Sequence, residues 1–233
     1  MDLLWLMLAS MASSVLTSAI GLGGGLLIMV VMPMFLPLSA VIAIQSIFNL
    51  FSNGSRALLS AKKIKPGTLW SYAVGGLLGT CLGYPFIGVL SEEVLAWVIA
   101  IFILLTTWTN ILKRASAVFD NAYITACIQA FLAIFVGSVG AISIALLVKQ
   151  KLSRDVVIAT NAAQMSMLNV FRVAAFVLAG FSFAHYAQQI VAMLFGAILG
   201  SVLGRSAKNI IPEKLGVLVL KWVTTVLAIK LLF

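Results

Sequence analysis

The chain carries very little charge for its length, which excludes an ordinary soluble domain. Only 9% of its 233 residues are charged and 63% are hydrophobic, whereas about a quarter of a soluble domain is charged. Long apolar runs follow one another with short gaps, and a spanning helix needs roughly 20 apolar residues. We therefore expect an all-α polytopic membrane protein that forms a single transmembrane domain over residues 1–233.

Acidic residues, histidine and cysteine are scarce, and their scarcity excludes several kinds of site. The six acidic residues all fall at predicted helix ends or in loops, so none is placed to relay protons or bind cations within the membrane. One histidine and two distant cysteines cannot form a Ser-His-Asp set or a Cys/His metal cluster. We expect no enzyme activity, no metal and no cofactor.

Basic residues outnumber acidic ones and give a formal net charge of +9, but their distribution is not that of a nucleic-acid-binding protein. They stand singly or in threes at helix ends, and no basic, aromatic-rich stretch could form a groove. The lipid bilayer, and no nucleic acid, is therefore the expected partner. The sequence leaves the oligomeric state open, including a homo-oligomer.

Apolar runs between charged residues and Pro/Gly breaks divide the chain into about eight membrane segments. They lie near residues 3–36, 38–60, 67–90, 92–112, 121–148, 155–180, 186–207 and 211–233. Glycine-rich sequences interrupt the first segment at 21–25 and the fifth at 137–141. Because such breaks free backbone groups, a membrane protein tolerates them only where protein covers the backbone or a wet cavity adjoins it.

The two halves of the chain repeat one another, approximately over 3–112 and 119–233. At an offset of 116 residues, two polar pairs match, and they are Asn53 with Asn169 and Arg56 with Arg172. At an offset of 121, a row of glycines spaced by four recurs, Gly75, Gly79 and Gly83 in the first half and Gly196, Gly200 and Gly204 in the second. Shared apolar bias would not align Asn and Arg, so we infer an internal duplication. The glycine rows predict close helix contacts.

Loop charges predict how the two halves are oriented. Basic residues follow the second and fourth segments, which by the positive-inside rule places 61–66 and 113–120 in the cytoplasm. In the second half the basic residues, at 149–154, precede the polar helix instead, so the charges favour inverted repeats with an odd number of crossings in each half. Hairpins at the two glycine breaks would supply that number. Eight simple crossings, with a kink at each break, are the alternative.

Polar side chains recur at steps of three and four on the second and sixth segments, and these steps place them on one helical face. The stripes are Gln45, Asn49, Ser52, Asn53 and Arg56, and Asn161, Gln164, Asn169 and Arg172. A single amide could serve only helix–helix hydrogen bonding, but the repeated stripe favours a polar pathway. A guanidinium fork matches oxyanions, and no acidic residue lies in an apolar interior to pair with Arg172. Arg56 is close enough to its helix end to reach the interface.

These features resemble those of the sulfite exporter TauE/SafE family, and the resemblance covers essentially the whole chain. Gly21 to Gly25 followed by apolar residues and Pro33 looks like the family's opening motif, and Ala43-Ile44-Gln45-Ser46 before Asn53-Gly54 looks like its second-helix pattern. The resemblance implies a small integral membrane carrier for sulfite, sulfonates or related anions. It carries over to the turn at 21–25 and to Gln45, Asn49 and Asn53. The motif at 137–141 departs from the family's glycine-rich repeat, so the resemblance does not imply an exactly symmetric site.

We therefore predict a multi-pass transporter in the bacterial cytoplasmic (inner) membrane that moves small organic or inorganic anions, such as sulfite or sulfonates, by alternating access. The expected substrate-binding residues are Gly21, Gly23, Gly24, Gly25, Gln45, Asn49, Asn53, Arg56, Ser138, Asn161, Gln164, Asn169 and Arg172. A membrane assembly or scaffold subunit and a passive anion channel are the alternatives. The substrate, the direction of transport and the coupling ion lie beyond the sequence.

Overall fold

A computed structural model describes residues 2–20, 24–109, 120–137, 140–207 and 213–232, and in these ranges the chain is helical and has no strand. Short 3₁₀ turns join several of the α-helices. We number the α-helices of the described ranges in chain order: α1 (Asp2–Ile20), α2 (Gly24–Val31), α3 (Leu38–Leu59), α4 (Leu69–Gly83), α5 (Glu92–Trp108), α6 (Ala122–Val136), α7 (Gly140–Lys149), α8 (Arg154–Leu178), α9 (Ala187–Ala207) and α10 (Glu213–Lys230).

Local sequence signals set the ends of several helices. The Ser91 side chain accepts a hydrogen bond from the Val94 backbone N–H at the start of α5. The Asn121 side chain accepts one from the Tyr123 N–H, at 2.8 Å, at the start of α6. Each cap satisfies a backbone donor that the first helical turn leaves unpaired. Gly137, with a φ of +74°, ends α6.

The glycine break at 137–141 folds the fifth segment back on itself. Helix α6 ends beside Gly137, α7 begins at Gly140, and the two helices pack against each other. Asp120, just before α6, forms an ion pair with Lys149 at the end of α7, at 2.6 Å. The chain therefore enters and leaves this segment at the same end, as in a hairpin and not as in a kinked single span.

The first glycine row brings α4 against α6. A Cβ added at Gly75 would overlap the carbonyl oxygen of Tyr123, and one added at Gly79 would overlap that of Cys127. No larger residue fits at these two positions without moving a helix backbone. The close contact predicted from the four-residue spacing is confirmed for this row.

The second glycine row brings α9 against α1 in the same manner. A Cβ at Gly196 would overlap the carbonyl oxygen of Met7, and a Cβ at Gly200 would overlap that of Met11. The residues whose carbonyl oxygens make these contacts also correspond at the offset of 116 residues, because Met7 and Met11 match Tyr123 and Cys127. Each half of the chain therefore provides the glycine row for a helix of the other half.

The two helices that carry the polar stripes, α3 and α8, pack together and run antiparallel. Near the start of α3, the carbonyl of Ile42 accepts a hydrogen bond from Arg172 on the last part of α8, at 2.9 Å. Just beyond the end of α3, Lys63 pairs with Asp155 in the first turn of α8, at 2.5 Å. Gln45 of the first stripe and Arg172 of the second therefore meet between the two helices.

The two ends of the α3–α8 pair differ in chemistry. The basic end carries the loops that follow α3 and precede α8 and the helix ends beside them, with Lys62, Lys63, Lys65, Lys149, Lys151 and Arg154. The aromatic end lies after α8, where the Phe181 ring packs on Phe183 and stacks on Tyr186, with centroids 4.9 and 5.6 Å apart. Lys65 Nζ donates to the Gln150 side chain at 3.0 Å, so the two basic loops lie together.

Large apolar side chains lie on the outer surface, as expected where lipid replaces water. Trp70 is 70% exposed and Leu82 62% exposed on α4, and Phe195 and Val202 are similarly exposed on α9. Judged by length and composition alone, one helical stretch of the described residues, Phe183–Gly204, is long and apolar enough to span a membrane. Helices α2 and α7 are short, and polar stripes lower the hydropathy of α3 and α8.

Candidate anion-binding site

Gln45 on α3 links the two glycine breaks. Its side chain is completely buried, and its Nε2 donates to the carbonyl of Gly25 at 2.7 Å. On the other side Gly137 packs directly against the amide, so that a Cβ there would overlap the Gln45 Oε1. Glycine is needed at position 137 for this approach and for its positive φ. Two breaks far apart in sequence therefore meet at one side chain.

Arg172 on α8 completes this arrangement. Its side chain is 1% exposed. Nη1 donates to the carbonyl of Gly137, and Nη2 donates to the Ile42 carbonyl at 2.9 Å and to the Gln45 Oε1 at 3.4 Å. Nε is buried and has no hydrogen-bond partner among the described residues. We call Gly25, Gln45, Gly137 and Arg172 the central cluster.

The guanidinium of the central cluster has only neutral acceptors in the described part of the chain. Its partners are two backbone carbonyls and one amide oxygen. The acidic residues whose side chains are described are exposed, as predicted, and they are Glu92, Glu93, Asp120 and Asp155. A buried charge without a counterion costs several kcal/mol by order of magnitude, so the central cluster favours an anion beside it.

Arg56, which matches Arg172 at the offset of 116 residues in the sequence, lies elsewhere. It is eleven residues beyond Gln45 on the same helix, which is about 16 Å along the axis. Its half-buried side chain turns back on α3, where Nε donates to the Ser52 carbonyl at 3.2 Å and Nη2 to the Asn53 Oδ1 at 2.6 Å. The structure therefore does not bring the two arginines into one site.

The remaining predicted residues whose structure is described do not join the central cluster. Asn49 is buried, and Asn169 donates to the Met165 carbonyl of its own helix at 2.7 Å. Gln164 donates to the Thr68 hydroxyl at 3.0 Å, while its Oε1 is buried without a partner in the described ranges. Gly24 begins α2. Three further predicted positions lie outside the described residues, and they are Gly21, Gly23 and Ser138.

A comparison with known families decides the class of protein. The family model of the sulfite exporter TauE/SafE matches residues 6–231, nearly the entire chain. The chain belongs to the TauE/SafE family. It is therefore a membrane protein of a transporter family, and the resemblance drawn from the glycine and Gln/Asn motifs is confirmed. No curated protein and no solved structure matches the chain.

In this TauE/SafE protein a second polar network surrounds Asn161. The Asn161 Oδ1 accepts from the Ser143 hydroxyl at 2.5 Å, and Ser143 accepts from Gln129 Nε2 at 3.3 Å. The Gln129 Oε1 in turn accepts from the Tyr72 hydroxyl at 2.9 Å. Every link is neutral and internally paired, so the network positions Asn161 beside the start of α7.

Sequence reasoning missed Tyr72, Gln129 and Ser143 in this TauE/SafE protein. A signal was present for Gln129, since it is a lone amide in an apolar segment and must find partners when buried. The signal for Tyr72 was weaker. A tyrosine in an apolar helix can place its hydroxyl at the membrane–water interface as readily as in a buried hydrogen bond.

Proposed function

We propose that this TauE/SafE protein is a multi-pass carrier of the bacterial cytoplasmic membrane that moves sulfite, a sulfonate or a related small oxyanion by alternating access. The observation that carries this proposal is the completely buried guanidinium of Arg172, held by neutral groups where the glycine breaks meet. The family match supplies the substrate class.

The chemistry of the central cluster supports an oxyanion. The unpaired Nε–H of Arg172 is a charge-assisted donor, and such donors bind carboxylate, sulfonate or sulfite oxygens about twice as strongly as neutral donors do. Helix α7 begins at Gly140, close after Gly137, so its positive dipole end lies on the same side. Half-helix N-termini that face anionic groups recur in carriers with broken helices.

The helix positions support inverted repeats. At the offset of 116 residues the first residues of α2 and α3 correspond to those of α7 and α8. At the offset of 121 the first residue of α5, Glu92, corresponds to that of α10, Glu213. Corresponding helices of parallel repeats would run in the same direction, but α3 and α8 are antiparallel. We infer that each half contributes one hairpin and three spanning segments.

The basic end supports the orientation. The loops 61–66 and 149–154 touch through Lys63–Asp155 and Lys65–Gln150. Eight simple crossings would place these loops on opposite sides of the membrane, whereas hairpins at both breaks place them together. The positive-inside rule then assigns the basic end to the cytoplasm.

Transport in proteoliposomes tests the proposal. We expect saturable, concentration-driven flux of sulfite or of a small sulfonate with the purified protein. Arg172→Gln removes the buried charge, so we expect its flux at subsaturating substrate to fall at least about tenfold, the factor that corresponds to one charged hydrogen bond. Arg172→Lys keeps the positive charge but loses the planar set of guanidinium donors, so we expect an intermediate flux.

Ser166→Ala is the matched control for these variants. Ser166 lies on the same helix and its hydroxyl donates to the Ala162 carbonyl of that helix at 2.8 Å, away from the central cluster. Its flux should stay within about twofold of the unmodified protein. If Arg172→Gln matches the Ser166→Ala flux at equal reconstituted amounts, Arg172 does not bind the substrate. Flux that never saturates would instead indicate a passive channel.

A further inference from the structure

We propose that Arg172 and Arg56 form two clasps between α3 and α8 that close in turn, one in each access state. The proposal rests on the inverted repeats and alternating access of the proposed function. The first clasp is Arg172 with Gln45 and the Ile42 carbonyl, and it is closed in the structure. The second clasp is Arg56 with Asn161 and the Ile158 carbonyl.

The repeat relation assigns the partners of the second clasp. At the offset of 116 residues Arg56 corresponds to Arg172, Gln45 to Asn161 and Ile42 to Ile158. An exchange of the two halves therefore converts the pair Gln45–Arg172 into the pair Asn161–Arg56. Both pairs bridge the same two helices, because α3 and α8 correspond to each other and pack together.

In the structure the members of the second clasp are occupied elsewhere. Arg56 donates to Ser52 and Asn53 of its own helix, and the Asn161 Oδ1 accepts from Ser143. These bonds leave Arg56 and Asn161 paired while the second clasp is open. The asymmetry between the two arginines follows from this difference of state, and in the second clasp Asn161, one methylene shorter, takes the place of Gln45.

The two clasps lie toward opposite ends of the helix pair. Ile42 and Gln45 are near the start of α3, so the first clasp joins the helices toward the aromatic end. Arg56 is near the end of α3, so the second clasp joins them toward the basic end. In the structure the exposed ion pair Lys63–Asp155 and hydrogen bonds from Lys65 to Gln150 and to Thr160 still join the basic end, and these contacts must break when that end opens. Closing one clasp and opening the other would therefore expose the interface to alternate sides.

Distances between spin labels test the clasps without substrate. Native Cys81 and Cys127 are replaced by serine, and labels are placed in two pairs. The basic-end pair is Lys62→Cys with Arg154→Cys, and the aromatic-end pair is Ser39→Cys with Ala179→Cys. All four sites are exposed. Pulsed dipolar spectroscopy in lipid nanodiscs gives the ratio of close to separated populations for each pair.

The variants should shift these ratios in opposite directions. Arg172→Gln should raise the separated fraction of the aromatic-end pair, and Arg56→Gln should raise that of the basic-end pair, each ratio by at least about tenfold. Because each arginine stabilises a different state, the double variant should return both ratios toward those of the unmodified protein. Ser166→Ala should leave both unchanged.

Shifts of the same sign in the two single variants, or a double variant that shifts further from the unmodified ratios, would overturn the clasps. Because Arg56 is half-buried, we expect Arg56→Gln to fold. The Arg56→Gln variant therefore tests the second clasp even if Arg172→Gln does not fold. An unchanged basic-end ratio in Arg56→Gln alone is sufficient to reject the second clasp. Absence of saturable sulfite flux in the unmodified protein, together with the expected shifts of both label pairs, would count against the substrate and not against the clasps.

Discussion

At the scale of single residues, the central cluster separates what sequence could predict from what it could not. Helical spacing identified Gln45 and Arg172 as members of buried polar faces, because positions three and four apart share a face. The same spacing gives no information on which partner a side chain chooses. Arg56 and Arg172 each follow an asparagine by three residues, yet Arg56 bonds to its own helix while Arg172 crosses to α3 and Gly137.

Gln45→Glu tests whether the unbalanced charge of Arg172 attracts the substrate. The new carboxylate would replace an amide oxygen that lies 3.4 Å from Arg172 Nη2, and a carboxylate at this distance acts as an internal counterion. We expect sulfite flux at subsaturating concentration to fall at least about tenfold, by the charged hydrogen bond that the substrate loses.

Gln45→Leu is the control for that change, since it removes the same amide without adding charge. It leaves the Arg172 charge unbalanced, so its flux should exceed that of Gln45→Glu at equal protein amounts. Equal or greater flux in Gln45→Glu than in Gln45→Leu would show that charge balance at Arg172 does not control binding.

At the scale of elements, the glycines show which sequence signals carry structural information. The four-residue rows predicted close helix contacts, and the structure places helix carbonyls directly over them. The break at 137–141 was visible in the sequence, but a run of small residues fits a kink as well as a hairpin. The ion pair between Asp120 and Lys149 distinguishes the two, and it depends on tertiary folding that local sequence does not encode.

Gly79→Ala and Gly200→Ala should each lower stability by a similar amount. The added Cβ overlaps a carbonyl oxygen of the neighbouring helix in both cases, and such overpacking costs about 1–3 kcal/mol. Thermal unfolding in detergent, followed by tryptophan fluorescence, measures the loss. The control is Gly67→Ala, where no atom lies within 4 Å of the new Cβ. A midpoint for Gly79→Ala equal to that for Gly67→Ala would contradict the close contact of α4 with α6.

Gly137→Ala and Gly180→Ala separate backbone strain from contact with the central cluster. Both glycines have positive φ, +74° and +86°, so alanine is strained at each by about 1–3 kcal/mol. The Gly180 site is open, whereas a Cβ at Gly137 overlaps Gln45. We expect similar strain in both, with sulfite flux lost only in Gly137→Ala. Flux retained by Gly137→Ala, measured at equal reconstituted amounts, would remove the break from the site.

At the scale of the whole molecule, composition predicted the class of protein. The scarcity of charge indicated a helical membrane protein, and the family match confirms the transporter family. The repeat offsets reproduce the first residues of several helix pairs. The sequence could not predict which helices pack together. Helix α4 packs on α6 and α9 packs on α1, and these contacts join residues more than 40 positions apart in sequence.

Sidedness of the basic loops tests the hairpin topology directly. Single cysteines at Lys62 and Lys151 should react with a membrane-impermeant maleimide from the same side, because the two loops lie together at the basic end. A cysteine at His185 of the aromatic end should react from the other side. In intact cells the maleimide reaches the outer side of the membrane, and in inside-out vesicles it reaches the cytoplasmic side. Labelling of Lys62→Cys and Lys151→Cys from opposite sides would indicate eight simple crossings.

We infer that the buried, carboxylate-free guanidinium of Arg172 holds a small oxyanion beside Gly25 and Gly137. Isothermal titration of the purified protein with sulfite tests it most directly, with Ser166→Ala as the folded control. We predict a single saturable site in the unmodified protein and in Ser166→Ala, and an affinity at least about tenfold weaker in Arg172→Gln. Sulfite affinity that is unchanged in a folded Arg172→Gln protein would contradict the claim.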